Sequence, residues 1–333
     1  MENGALDSDL DGIQAVLSRR ALLRGAAALG AGALTFGLPG LAAAGTLRSE
    51  TVEVEAGYRY HASWTDSAGR GHEVRARLPR AATDADLDAP LRFPLRASTD
   101  AQVQALRQWS RGLPAGVRLI ILEQDRDSLK YTVEAPTSAV AQRTLNEAGE
   151  VAFRALKQFA KQNGFLVDRS RLVHADYPRE IRSSAGPLGP LAEAMSEGLA
   201  AEGPRGFAKK ALAFCQSIPY EIRKTGKDAG FRRPMSVLVR NRGDCDGKAA
   251  LFLALLRARH GNLPMAVIIV PGHALVGVGL KPLSGEQTVR AGGEQLVVME
   301  PVGPALLPIG QPGELSKSAL RAGEHDLFWV PVA

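Results

Sequence analysis

The amino-acid sequence predicts an α+β protein with two domains. Segments with alternating or continuous apolar residues, typical of strands, lie before residue 135 and after residue 264. Between them lie stretches in which apolar residues recur every three or four positions, the spacing of amphipathic helices. A length of 333 residues, 45% of them apolar and 23% charged, is ordinary for a globular protein with room for two domains.

The first 44 residues differ from the rest of the chain. Arg19 and Arg20 precede a Gly/Ala-rich apolar stretch over 25–38, and three alanines end at Ala44. This order resembles a twin-arginine export signal followed by its cleavage site. The apolar stretch is shorter than the roughly 20 residues of a spanning helix. We expect residues 1–44 to be a signal peptide, the export machinery to be a partner, and the protein to be periplasmic or secreted with no stable membrane span.

The distribution of charge excludes one class of partner. The formal net charge is +6, but the arginines and lysines are scattered along the chain with acidic residues between them. Proteins that bind nucleic acid gather basic side chains on one surface. We therefore expect no nucleic-acid partner.

Residues 45–180 predict a small α+β domain whose role the sequence does not reveal. The alternation Thr51-Val52-Glu53-Val54 is typical of a half-exposed strand, and a proline-free apolar pattern over 137–162 is typical of a long helix ended by Gly164. The predicted elements are, in order, strands 51–60 and 73–78, helix 100–111, strands 117–122 and 129–133, and helix 137–162.

Residues 181–203 predict a linker and a lead-in helix, because Gly, Pro and Ser dominate 183–190. A second domain follows over 204–333. Asp244 is placed to cap a helix that begins at Cys245. The elements predicted after the linker are helices 191–201, 204–216 and 245–259 and strands 265–270, 273–280, 295–300 and 327–332.

Three side chains of the second domain are candidates for catalysis. Cys245 opens its helix, His273 follows a Pro-Gly turn at the start of a strand, and Glu300 closes a strand before a proline. A thiol needs a base to become a good nucleophile, and unpaired amides at a helix N-terminus favour its anion. The base in turn needs an acceptor that fixes its tautomer. We expect the three side chains to meet in one cleft, with the pKa of the thiol depressed.

Four motifs resemble those of the bacterial transglutaminase-like superfamily, whose catalytic domain has a papain-like fold. They are Phe214-Cys215-Gln216-Ser217-Ile218-Pro219-Tyr220, Gly243-Asp244-Cys245-Asp246-Gly247-Lys248-Ala249, Gly272-His273-Ala274 and Met299-Glu300-Pro301. The resemblance covers about residues 204–310. It implies a helix that begins at the cysteine and packs on an antiparallel sheet. It also implies Cys245 as the nucleophile, His273 as general base and then acid, Glu300 as the acid that orients the imidazole, and Gln216 as a donor to the oxyanion.

The sequence departs from the superfamily's pattern at two points. The third member of the triad is commonly Asp, and Glu300 is longer by one methylene group. The Gly-Gln-Cys-Trp signature of protein-crosslinking transglutaminases is absent, because Asp244 and Asp246 flank the cysteine. The resemblance therefore implies an exported cysteine peptidase or amidase that acts through a thioester on a peptide or protein substrate of the cell envelope. Two alternatives remain open, namely a non-catalytic binding or scaffold module and an acyl transferase.

The sequence also bears on cofactor and disulfide chemistry. The segment over 244–247 lacks the later oxygen ligands of a calcium loop, and the cysteines and histidines lack the spacing of a zinc site. We expect neither a metal nor another cofactor. Cys215 lies in an apolar helical segment where a small buried residue is expected, but a disulfide between Cys215 and Cys245 remains open, because exported proteins often contain one.

Overall fold

The computed structural model describes residues 14–18, 45–87, 90–124, 128–222 and 230–332. The twin-arginine pair, the apolar stretch and the cleavage site predicted for residues 1–44 lie outside the described residues. The helices and strands are, in chain order, β1 (Gln14–Ser18), β2 (Arg48–Val54), β3 (Gly57–Thr65), β4 (Gly71–Leu78), α1 (Arg80–Leu87), α2 (Leu95–Ser110), β5 (Arg118–Gln124), β6 (Ser128–Glu134), α3 (Ser138–Gln162), β7 (Phe165–Val167), β8 (Val173–Ala175), α4 (Tyr177–Ser196), α5 (Gly203–Ser217), α6 (Pro234–Arg240), α7 (Cys245–Arg259), β9 (Met265–Val270), β10 (His273–Val278), β11 (Thr288–Ala291), β12 (Glu294–Met299), α8 (Glu314–Arg321) and β13 (Asp326–Val330).

The protein is of the mixed α+β class that the sequence predicts, and it divides into two compact units. One unit contains residues 93–173 together with β1. The other contains the described residues of 45–92 and everything described from 174 onward. The division differs from the predicted boundary near residue 180, because β2, β3, β4 and α1 belong with the second half of the chain.

The first unit packs two helices on a small antiparallel sheet. The strand order is β1-β6-β5, and β5 and β6, near the predicted strands 117–122 and 129–133, pair antiparallel. Thr137 caps α3 by accepting from the amide of Val140 at 3.3 Å, so the helix begins where the sequence predicts. Leu106 of α2 and Ala148 of α3 are fully buried in a core that also contains Tyr131.

The sheet β2-β3-β4 belongs to the second unit because its inner face is buried there. Alternate residues of β3 point inward, and Tyr60, Ala62 and Trp64 are buried. The ring of Trp64 meets that of Phe214 in α5 edge-on, with 5.1 Å between their centroids. The amide of Leu47 donates to the carbonyl of Ser217 at the end of the same helix.

The segment predicted as a linker instead lies within helix α4. Asp176 caps the helix, which continues through Pro187 and Pro190 to Ser196. Helix α4 packs against α7 and also against β4 and β13. Its buried residues recur at helical spacing; they are Tyr177, Glu180, Ile181, Ser184, Leu188, Leu191, Ala192 and Met195. The burial of this apolar face outweighs the low helix propensity of the Gly and Pro residues that favoured a linker.

The remainder of the second unit is a five-stranded antiparallel sheet in the order β11-β12-β10-β9-β13. Helix α7 packs against β9 and β10, and Leu320 of α8 belongs to the core on the sheet. Strand β9 is therefore apolar along its whole length rather than alternating. The predicted bounds of α7 and β9 are confirmed, and β10, β12 and β13 lie within two residues of their predicted positions.

Among the described residues, no helix combines the length and the apolar character required to cross a membrane.

Candidate active site

Cys245 is the first residue of α7 and lies among polar groups. The carboxylate of Asp244 caps the helix by accepting from the amide of Gly247 at 3.2 Å. The residue is only 8% exposed. The backbone amides of Ala274 and Asp246 lie close enough to the sulfur to lower the pKa of the thiol, and the hydroxyl of Tyr220 lies close enough that the sulfur raises the pKa of Tyr220.

The thiol of Cys245 is neutral at physiological pH. Burial raises its pKa, and the carboxylates of Asp246 and Asp244 raise it further. The N–H donors of Ala274 and Asp246 lower the pKa by less than these groups raise it. The expectation of a depressed pKa, based on the helix N-terminus, is therefore wrong. Two adjacent anions and the loss of solvent outweigh the partial positive charge of the helix end.

A tight turn places His273 at the start of β10. The turn consists of Pro271 and Gly272, and Gly272 has φ of +73°, which glycine adopts without strain. His273 pairs with Val270 across the turn. Its ring nitrogen Nε2 lies 3.0 Å from Oε1 of Glu300, and the side chain is 20% exposed.

Glu300 is held by three donors. Its Oε1 contacts His273, while Oε2 accepts from the amide of Gly313 at 2.9 Å and from the hydroxyl of Ser316 at 3.3 Å. Burial raises the pKa of the carboxyl group, but the hydrogen bond and charge of His273 and the donors Gly313 and Ser316 outweigh it, so the net pKa is lowered. The first turn of α8 thus fixes the carboxylate, through residues that the sequence motifs do not mark.

The state of Glu300 determines the tautomer of the imidazole. An ionised carboxylate only accepts hydrogen bonds, so Nε2 of His273 carries the hydrogen in this contact. In a neutral imidazole the other nitrogen, Nδ1, then has a free lone pair. That nitrogen is the one equipped to take a proton from a thiol. His273 is also directly followed by Ala274, whose amide contacts the sulfur of Cys245.

Gln216 does not have the arrangement expected of an oxyanion donor. Its Nε2 donates to the carbonyl of Glu300 at 2.9 Å and to the carbonyl of Leu307 at 3.0 Å. Both amide hydrogens are therefore used, and the side chain is buried. Gln216 instead secures the backbone at Glu300, which corrects the role that the resemblance implies for it.

Two further residues of the site were not assigned by sequence reasoning. Lys248 is fully buried one turn after Cys245, and its Nζ donates to the carbonyl of Ile218 at 2.6 Å. Burial lowers the pKa of Lys248 to about 8. Tyr220 follows Ile218 by two residues, within a motif quoted for the resemblance, but nothing in the sequence distinguishes its hydroxyl from that of an ordinary loop tyrosine.

The two cysteines are both free. Cys215 lies fully buried in α5, and burial raises the pKa of its thiol to about 12. The structure therefore has no disulfide between Cys215 and Cys245, which the sequence left open. In the part of the chain that the structure describes, no three His, Cys, Asp or Glu side chains are gathered in a way that suits a metal ion.

Comparison with known proteins identified no relative. No family model matches the chain, and neither a curated protein nor a solved structure shows significant similarity to it. The class of site is thus defined by its own geometry, a buried cysteine at a helix start with a histidine–glutamate pair on the adjacent sheet.

Proposed function

We propose that the protein is a cysteine hydrolase that cleaves a peptide or amide bond through a thioester on Cys245. The observation that carries the proposal is the contact of 3.0 Å between His273 Nε2 and Glu300 Oε1, made by a histidine whose neighbour Ala274 has its amide close to the cysteine sulfur. This contact leaves Nδ1 of the imidazole as the base.

In the proposed first step, the sulfur of Cys245 bonds to the substrate carbonyl carbon while its proton passes to Nδ1 of His273. The neutral state of the thiol means that proton transfer accompanies attack, rather than preceding it as in a stable thiolate–imidazolium pair. Glu300 stabilises the imidazolium that forms. The tetrahedral intermediate then releases the amine, which takes the proton from His273, and a thioester remains.

In the second step, His273 removes a proton from water as the water attacks the thioester. The carboxylic acid product leaves, and the thiol regains its proton. If an amine entered in place of water, the same thioester would give acyl transfer. Hydrolysis is the reaction we propose, because Asp244 and Asp246 flank Cys245 in place of the Gly-Gln-Cys-Trp signature of crosslinking transglutaminases.

The proposal also places the second unit in the transglutaminase-like superfamily with its papain-like fold. The support is the antiparallel sheet, the helix that begins at Cys245, and the order of the four motifs. We further propose export through the twin-arginine route and a substrate in the cell envelope, supported by the sequence of residues 1–44.

The experiment uses an activated ester, p-nitrophenyl acetate, because the natural substrate is unidentified. The purified full-length protein is mixed with the ester, quenched in acid and digested, and the acetylated cysteine is located by mass spectrometry. We expect acetylation of Cys245 and not of Cys215, and turnover of the ester on longer incubation.

Two variants separate catalysis from simple thiol reactivity. His273→Ala removes the base, and Glu300→Gln replaces the acceptor with an amide that permits the wrong tautomer. Each is expected to slow acetylation at least about 100-fold. Glu294→Gln, an exposed position at the start of β12, is the matched control and is expected to have no effect. Equal acetylation rates in the wild type and His273→Ala would show that the thiol is not activated.

The neutral thiol is the observation that favours the alternative of a non-catalytic binding module. A buried sulfur with a raised pKa is also what an inert structural cysteine has. The same experiment decides between the two functions, because an inert Cys245 is not acetylated under native conditions and becomes reactive only in denaturant.

A further inference from the structure

We infer that Tyr220 is a further catalytic residue, whose phenol O–H contacts the sulfur of Cys245 in the free protein and donates to the oxyanion when a carbonyl bonds to that sulfur. The inference rests on the proposed function and deepens it. It supplies the donor that Gln216 does not, since both amide hydrogens of Gln216 are used by backbone carbonyls.

The backbone around Tyr220 is fixed next to the start of α7. Tyr220 forms an isolated parallel bridge with Gly243, two residues before Cys245. The amide of Gly243 donates to the carbonyl of Pro219 at 3.2 Å, and the amide of Glu221 donates to the carbonyl of Gly243 at 3.0 Å. The tyrosine is therefore attached to the segment that carries the nucleophile.

Lys248 provides a second contact that fixes the segment before Tyr220. Its ammonium group is fully buried and donates to the carbonyl of Ile218 at 2.6 Å, two residues before Tyr220. A buried cation on the nucleophile's own helix thus ties down the chain that leads to the tyrosine.

The exposure of Tyr220 fits a residue that meets substrate. Tyr220 is 43% exposed, whereas Cys245 is 8% exposed. Because the hydroxyl of Tyr220 interacts with the sulfur of Cys245, a carbonyl carbon bonded to that sulfur would lie near the phenol. Burial of the hydroxyl raises the pKa of Tyr220, and so do the nearby Cys245, Asp244 and Asp246, which keeps it protonated as a donor.

The proton and electron balance of the step is unchanged by this assignment. The S–C bond forms, the carbonyl π electrons move to oxygen, and the thiol proton goes to His273. The oxyanion accepts a hydrogen bond from the Tyr220 hydroxyl, which keeps its own proton. When the intermediate collapses, the oxygen electrons reform the carbonyl and the hydroxyl returns to the sulfur. Tyr220 is consequently neither consumed nor deprotonated.

The test compares two reagents that differ in whether an oxyanion forms. Acetylation by p-nitrophenyl acetate passes through an oxyanion, whereas alkylation by iodoacetamide displaces iodide at a saturated carbon and forms none. For Tyr220→Phe we expect acetylation of Cys245 to slow on the order of 100-fold, the usual effect of removing one such donor. Alkylation should change far less, so that the ratio of the two rates falls at least about tenfold.

The control is Tyr58→Phe, which removes the hydroxyl of another tyrosine in the same unit, where it donates to Asp84. It is expected to leave both rates unchanged. An unchanged ratio in Tyr220→Phe, including an equal fall of both rates, would overturn the inference and leave the proposed function intact. Failure of the wild type to acetylate would overturn the proposed function and the inference with it. Alkylation of folded protein verifies that the variant presents its thiol.

Discussion

At the scale of single residues, opposing electrostatic effects set the pKa of the Cys245 thiol. A helix N-terminus and two amide donors favour a thiolate, whereas burial and the carboxylates of Asp246 and Asp244 oppose it. Burial and the two carboxylates have the larger effect, so the thiol is protonated in the resting protein. A protonated nucleophile is less easily oxidised or alkylated than a thiolate, and it depends on His273 for its reactivity.

These opposing effects predict how Asp246→Asn changes the pKa of Cys245. Tyr177 and the amide of Gly247 donate to different oxygens of Asp246, so asparagine retains the acceptor for one of them, and it removes a negative charge beside the sulfur. The pKa of Cys245 should fall. Where the thiol is mostly protonated, each unit of that fall raises the thiolate fraction about tenfold. We expect iodoacetamide to alkylate Cys245 correspondingly faster at pH 8.

The measurement follows Cys245 alkylation against pH by mass spectrometry. The midpoint of the profile should move to lower pH in Asp246→Asn. Asp84→Asn removes a carboxylate elsewhere in the same unit and serves as the control. A profile that stayed in place, or moved to higher pH, would mean that Asp246 does not set the charge state of the thiol.

At the scale of elements, three helices of the second unit meet at a small group of charges. Asp86 of α1 and Glu180 of α4 both face Arg233, which immediately precedes α6. The amide of Met235, in the first turn of α6, donates to Asp86 at 3.3 Å. Burial raises the pKa of Asp86 to about 6, because the attraction of Arg233 and this amide only partly offset it and Glu180 raises it further.

This raised pKa predicts a pH-dependent stability. The folded protein binds the proton of Asp86 more tightly than the unfolded chain does, so the stabilisation is fully present below about pH 4. It is lost as the pH rises through about 6. For Asp86→Asn we expect the free energy of unfolding to match the wild type near pH 4 and to exceed it by up to about 2 kcal/mol at pH 7.5.

Urea unfolding at the two pH values, followed by circular dichroism, measures the difference. Exposed Glu314, which pairs only with groups of its own helix, provides a control variant, Glu314→Gln. If Asp86→Asn destabilised the protein at pH 7.5, the ion pair with Arg233 would outweigh the burial of the carboxylate.

The connection between β12 and α8 depends on a close approach of two backbones. A side-chain carbon at Gly303 would lie 2.1 Å from the carbonyl oxygen of Gln216, nearer than any real contact. Gly303→Ala must therefore push this connection away from α5. We expect a loss of about 1–3 kcal/mol in the free energy of unfolding. We also expect slower acetylation of Cys245, because the backbone at Glu300 is secured by Gln216.

Gly189→Ala is the matched control for that substitution. No atom lies within 4 Å of the added carbon in α4, and alanine has the higher helix propensity, so the variant should be as stable as the wild type or slightly more stable. Chemical unfolding and the rate of acetylation are measured for both variants. Equal stability of Gly303→Ala and the wild type would mean that the connection moves freely.

At the scale of the whole molecule, the residues proposed to act in catalysis all lie in the second unit. That unit takes strands β2–β4 from the first part of the chain and the remaining elements from residue 174 onward. The unit that contains residues 93–173 has its own core and adds none of these residues. We propose no role for this unit in the reaction.

The proposed export predicts where the whole molecule is found in the cell. Replacing Arg19→Lys and Arg20→Lys together preserves charge but removes the paired guanidinium groups that a twin-arginine receptor reads. We expect the uncleaved precursor to accumulate inside the cell, whereas the wild type is recovered outside the cytoplasm without residues 1–44. Cell fractionation with mass spectrometry of the N-terminus measures this. Arg24→Lys is the control, and export of the double variant at the wild-type level would contradict the twin-arginine route.

The sequence by itself determined the elements whose patterns are local. Helix α7 and strand β9 have their predicted bounds, because a capping Asp244 and continuous apolar runs are properties of neighbouring residues. The sequence also predicted that Cys245, His273 and Glu300 lie, in that order, at the ends of such elements. Helix α4 was not, since its Gly and Pro residues favour a linker until α7 covers its apolar face.

Only the tertiary structure decided how the candidate residues are used. In the folded protein, His273 contacts Glu300, and both amide hydrogens of Gln216 are donated to backbone carbonyls. The hydroxyl of Tyr220 lies near the sulfur of Cys245. The tertiary structure also made the thiol of Cys245 neutral, against the expectation from its helix position. The physical reason is that capping and periodicity act between residues close in the chain. Hydrogen-bond partners, burial and charge depend on residues that are distant in sequence and become neighbours only when the chain folds.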